Sequence, residues 1–76
     1  MNNDRRKRIN EIIAQLESLK GDIEELQNEE RDAFDNLPEG LQQSDRGQQS
    51  EEAANNLESA ASSLDDALSN LEEAAQ

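Results

Sequence analysis

Apolar residues recur along this chain at alternating steps of three and four, in two separate blocks. The first block carries Ile9, Ile12, Leu16, Leu19, Ile23 and Leu26, and Ala33 and Leu37 continue it once Glu30 is counted as a polar interruption. That spacing belongs to a helix that shows one face to a partner helix. Ile13 widens the stripe slightly. The second block repeats the rhythm with Ala53 or Ala54, Leu57, Ala61, Leu64, Leu68, Leu71 and Ala75. Its alternate alanines let the two helices approach closely. The pattern therefore predicts a first helix over about 4–36, a loop over about 37–49 and a second helix over about 50–75.

Punctuation places these boundaries. Asn2, Asn3 or Asp4 is suited to cap the first helix. Pro38 biases Leu37 away from the α region, and Gly40 supplies a flexible turn, so the first helix should end near Asn36. The second could start at Ser44 or at Ser50, and Ser50-Glu51-Glu52 is the stronger start signal, a hydroxyl cap followed by first-turn carboxylates. Gly21 interrupts the first helix at a cost of about 1 kcal/mol relative to Ala, as a tolerated defect or a close helix contact. Two helices with a short connection pack antiparallel, so the expected fold is all-α, a helical hairpin.

Composition adds the need for a partner. With 76 residues, 32% hydrophobic and 1% aromatic, a single hairpin has too little apolar material for a thick core. Two hairpins pairing through their stripes make a four-helix, coiled-coil-like bundle, with Ile9, Ile12, Leu16, Leu19, Ile23, Leu26, Leu57, Leu64, Leu68 and Leu71 as the expected oligomer core. The chain has no Cys and no His, which removes thiolate chemistry, the usual general base and the commonest metal ligand. Catalysis is not expected, and no cofactor is implied. Adjacent acid pairs such as Glu24-Glu25, Glu29-Glu30 and Asp65-Asp66 point to different helix faces and lack calcium-loop spacing, so no metal site is expected either. No apolar run has the length of a signal peptide core or a membrane span, and a cytosolic location without membrane contact is expected.

A net charge of −12 argues against direct binding of nucleic acid. The charge is uneven: Arg5, Arg6, Lys7 and Arg8 form a basic start, whereas no base follows Arg46. Antiparallel packing offers one account, with Arg5, Arg6 and Arg8 lying near Glu72 and Glu73 of the same chain. Head-to-tail pairing of two hairpins offers another, in which the basic start of one protomer meets the bend of its partner.

The bend concentrates unusual residues. Phe34-Asp-Asn-Leu-Pro-Glu-Gly-Leu-Gln-Gln-Ser-Asp, followed by Arg46-Gly47, holds the only Phe, the only Pro and two of the three Gly. A ring to stack a base, guanidinium groups to hold phosphates and amides to read polar edges are the parts of a nucleotide site. The candidate ligand-binding residues are Arg31, Phe34, Asn36, Gln42, Ser44 and Arg46, with Arg5 and Arg8 closing the site from a second protomer. The plainer reading is that Phe34 and Leu37 plug the end of the core, Leu41 closes over them, and the remaining residues shape a turn.

The order of parts, a basic start, an acidic Ile/Leu helix, FDNLPEGLQQSDRG and an acidic Ala/Leu helix, resembles a group of short acidic helical-hairpin proteins encoded in phages and prophages of Gram-positive bacteria. The resemblance covers nearly the whole chain, and FDNLPEGLQQSDRG is its most distinctive piece. It implies a small oligomeric phage protein with an anti-defence role in the host bacterial cytosol. Three functions follow. The first is a sponge that sequesters a phosphorylated nucleotide immune signal, such as a cyclic ADP-ribose derivative or a cyclic dinucleotide. The second is an acidic inhibitor or nucleic-acid mimic that occupies a basic cleft of a host defence protein. The third is a structural coiled-coil assembly protein. The sponge ranks first, because neither competitor uses Phe34, Asn36 and Arg46 together.

Overall fold

The computed structural model describes residues 1–76 as three helices in the order α1 (Asn3–Asp35), α2 (Glu39–Gln42) and α3 (Asp45–Ala74). The long α1 and α3 pack against each other as a hairpin, a rod of 58 × 15 × 12 Å with the bend at one end. Asn2 caps α1: its side-chain oxygen accepts the Arg5 N–H at 2.8 Å, and Asp4 adds first-turn acidity that suits the helix dipole.

The second long helix begins at Asp45, five residues before the expected start at Ser50, and the loop shrinks from 37–49 to residues 36–44. The reason is local. Ser44 Oγ accepts the Gly47 N–H at 3.4 Å, and Asp45 follows as a first-turn acid, so the earlier serine is the cap. Ser50 is instead half-buried within the helix, on the face turned towards α1. The turn also forms without a left-handed residue, since no φ is positive anywhere in the chain. Gly40 sits in the short α2 with open space around it, so the flexibility expected of it is not needed.

Gly47 is different. A side-chain carbon there would collide with the carbonyl groups of Leu41 and Gln42, so glycine is what lets α2 fold back onto the first turn of α3. This close approach makes the bend compact.

The contact between α1 and α3 is thin. Ala54, Ala61 and Leu68 are the buried apolar side chains, and only four of 76 residues are buried in all. On α3 the partly or fully buried positions are Gly47, Ser50, Ala53, Ala54, Leu57, Ala61, Leu64, Ala67, Leu68 and Leu71, with Ala75 just beyond the helix, and from Ala53 onwards they contain the whole expected stripe. On α1 the stripe is turned by one column. The positions against α3 are Ile9, Ile13, Leu16, Lys20, Ile23, Gln27, Glu30, Phe34 and Leu37, all half-buried. Ile12, Leu19 and Leu26, expected in the oligomer core, are 46%, 54% and 52% exposed in the single chain. The apolar arc of α1 is wider than one neighbour can cover. Phe34, Lys20 and Arg31 lie towards α3, with Lys20 paired to Asp65 and Arg31 to Glu58.

Two glycine substitutions test this packing. Gly47→Ala should lower stability to urea by about 1–3 kcal/mol through overpacking against the bend carbonyls. Gly21→Ala, where a side-chain carbon meets nothing within 4 Å, should raise it by about 1 kcal/mol. Both are measured at one fixed protein concentration.

Candidate functional site

The bend residues chosen as nucleotide ligands are mostly engaged in holding the turn together. Gln42 donates from Nε2 to the carbonyls of Phe34 at 3.3 Å and Leu37 at 3.2 Å, satisfying acceptors at the end of α1 that the helix itself leaves open. Ser44 caps α3, and its hydroxyl also donates to the Leu41 carbonyl. Asn36 terminates α1, its backbone N–H donating to the Asp32 carbonyl at 3.0 Å. Leu41 does not close over the core end but stays 46% exposed.

Arg31 and Phe34 do share a niche, with Asp35, Glu51, Ala54 and Asn55 as its other walls. Its volume is about 170 Å³, below the roughly 300–1,000 Å³ of sites that enclose drug-sized ligands. Arg31 donates to Glu58 at 2.8 Å, and two further carboxylates line the niche, so a phosphate there would meet net negative charge. Arg46 is absent from this niche. It shares a column of α3 with Ala53, Ala60 and Ala67, one step beyond the central leucines on the side away from Glu51 and Glu58. Arg31 and Arg46 therefore do not converge within one chain.

The basic start behaves differently from its expected pairing with Glu72 and Glu73. Only Arg6 turns towards the chain end, donating to Asn3 Oδ1 at 3.1 Å and to the Gln76 carbonyl at 3.5 Å. Arg5 and Arg8 lie on another face, where with Met1, Ile9 and Ile12 they border an apolar hollow of about 230 Å³. The ion pairs of the chain join Lys20 to Glu24 and Asp65, and Arg31 to Glu58, and none involves the basic start.

The most strongly charged concavity lies midway along the rod. Glu17, Lys20, Gly21, Glu24, Asp65, Leu68, Ser69 and Glu72 line an open groove of about 430 Å³ between α1 and α3. Four carboxylates surround one ammonium group. Lys20 Nζ lies 2.5 Å from Asp65 and 3.5 Å from Glu24. The hydrogen bond to Asp65 raises the Lys20 pKa above its ordinary value; desolvation opposes the shift, and the charges of Asp65 and Glu24 reinforce it. No group of three or more carboxylates converges closely enough to hold a metal ion.

Lys20 was not among the sequence candidates, whereas Glu58 and Asp65 belong to the acidic face of the second helix on which the mimic reading rests. Their signal was available in the seven-residue columns: Glu51, Glu58, Asp65 and Glu72 repeat along one line of α3. Only the register of the hairpin says that this line borders α1. Comparison with protein-family models, curated proteins and solved structures gives no match for the chain.

Because the Lys20 pKa is raised in the folded state, its stabilising contribution is complete below the unfolded lysine value of about 10.4 and is lost as pH rises through the higher folded value. Asp65→Asn should return the Lys20 pKa towards the ordinary value and remove this part of the alkaline loss of stability. An NMR titration of the Lys20 side chain, paired with urea unfolding at alkaline pH, measures both effects.

Proposed function

We propose that this protein is a non-enzymatic binding module whose acidic side takes up a basic segment of another protein, in the manner of a nucleic-acid mimic. The observation that carries the reading is the groove around Lys20, where Glu17, Glu24, Asp65 and Glu72 form two acidic walls over a narrow floor of Gly21, Leu68 and Ser69. Lys20 itself demonstrates how a cationic side chain is received there, between a carboxylate from each helix. Further acids continue the same side towards the bend, at Asp35 and Glu51. Such a surface attracts a basic partner over long range and accelerates its encounter.

The nucleotide-sponge expectation has weaker support. Gln42 and Ser44 hold the turn, Arg31 is paired with Glu58, and Arg46 stands on another face. An acidic groove is chemically unsuited to phosphate, whereas it suits lysine- and arginine-rich segments that bind phosphate elsewhere. The likeness to short phage and prophage proteins fits the same reading, with a basic cleft of a host defence protein as the partner.

The test uses a panel of basic nucleic-acid-binding domains, with affinities measured by calorimetry at low and at physiological salt. The wild-type protein should bind, compete with the nucleic acid of its target and weaken as salt screens the charges. Changing Glu51, Glu58, Asp65 and Glu72 together to Gln should lower affinity by about tenfold or more and flatten the salt dependence. Equal affinity of the wild type and this variant, or absence of binding to any member at low salt, would remove the acidic side from the function.

A further inference from the structure

The opposite side of the hairpin carries an independent message. Ile12, Leu19 and Leu26 repeat every seven residues along α1 and are about half exposed. Across the rod, Ala53, Ala60, Ala67 and Ala74 repeat every seven residues along α3, flanked by a line of Gln49, Asn56, Ser63 and Asn70. That flank holds no charge, although the chain carries 26 charged side chains. The half-buried Leu57, Leu64 and Leu71 lie between the alanine line and the contact with α1. In a chain of net charge −12, an apolar face bordered along α3 by uncharged amides and hydroxyls has the composition of an interface core.

We propose that this face binds a second copy of the same chain, head to tail, with α1 antiparallel to α1 and α3 antiparallel to α3, to complete a four-helix bundle. The area agrees. A compact folded monomer of 8.5 kDa exposes about 4,700 Å². This hairpin exposes 5575 Å², roughly 900 Å² more than that scaling allows. A standard protein interface removes about 800 Å² from each partner.

The orientation follows from charge. Along the outer border of the α1 stripe stand Arg8, Gln15, Asp22 and Glu29, basic at the start and acidic towards the bend. Arg8 has no ion-pair partner in its own chain. An antiparallel alignment about Leu19 sets Leu19 against itself, Ile12 against Leu26, and Arg8 against Glu29 of the second copy. Two-fold symmetry makes each unlike pair twice. Sliding one heptad in one direction opposes Asp22 to Asp22, and in the other pairs Arg8 with Asp22 but opposes Arg5 to Leu26 and takes Glu29 away from Arg8. The Lys20–Asp65 pair puts Ala67 of α3 near the level of Leu19, so the same two-fold axis sets Ala67 against itself and Ala60 against Ala74. In the alternative, with both bends at one end, α1 would face the uncharged flank of α3, and Arg8 and Glu29 would both lack partners.

Light scattering and cysteine crosslinking test this directly, because the chain contains no Cys. The wild-type protein should have twice the chain mass, and Leu19→Cys alone should form a disulfide-linked dimer on mild oxidation. Ala67→Cys should do the same. Arg8→Glu and Glu29→Arg should each weaken self-association by about tenfold through two like-charge contacts, and the double variant should restore it. A folded monomer at high concentration would overturn the second copy as occupant. A dimer in which neither cysteine variant links to itself, but the two link when mixed, would overturn the head-to-tail arrangement. None of these readouts depends on the acidic groove, so either proposal can fail without the other.

Discussion

A pair of helices can bury only a narrow strip of each, and most features of this protein follow from that limit. The strip here is built from small residues on α3, with Ala54 and Ala61 buried next to Leu68, so the helices come close but enclose little volume. Stability of such a rod cannot rest on a thick core. Local devices hold the hairpin in register instead. Gln42 ties α2 to the end of α1, Ser44 caps α3, and Gly47 admits the bend carbonyls. Lys20 and Arg31 each bridge to a carboxylate on α3.

Charge is segregated around the same axis. The acids of α3 that border α1 meet Lys20 and Arg31, and beyond those two bases the groove and its surroundings stay anionic. The other border of α3 has no charge at all. This division separates two kinds of surface on a rod only 15 by 12 Å in cross-section. One side repels anions and attracts cations over a Debye length. The other depends on apolar area, with charge entering at its α1 rim and at Arg46, which heads the alanine line of α3.

Rare residues gather at the bend. Phe34, Pro38 and Gly47 stand out in a repetitive acidic sequence, and rarity there invited a ligand. Each has a structural task. Phe34 fills the end of the helix contact as a half-buried ring, Pro38 starts α2, and Gly47 permits a contact between backbones. A tight reversal between two long helices demands special residues whether or not anything binds to it. Chemistry-bearing side chains count as a site only when they converge, and Arg31 and Arg46 do not.

Sequence periodicity alone determined that the chain is two long helices with heptad-spaced apolar lines and a reversal near Pro38, because helical period and backbone restrictions are local properties. It also determined the α3 stripe, where alanine and leucine leave one apolar arc. It did not determine which flank of α1 turns inwards. Ile9, Ile12, Ile13, Leu16 and Leu19 cover an arc wide enough for two neighbours, and the flank that meets α3 is the one carrying Phe34 and Lys20. Nor did it place the cap: Ser50-Glu51-Glu52 was the stronger start signal, yet Ser44 caps α3 through its bond from the Gly47 N–H and Ser50 lies within the helix. Tertiary contact therefore decided which apolar line is covered and which is left exposed, and which acids gather into a groove, because these depend on the register between helices and not on either helix by itself.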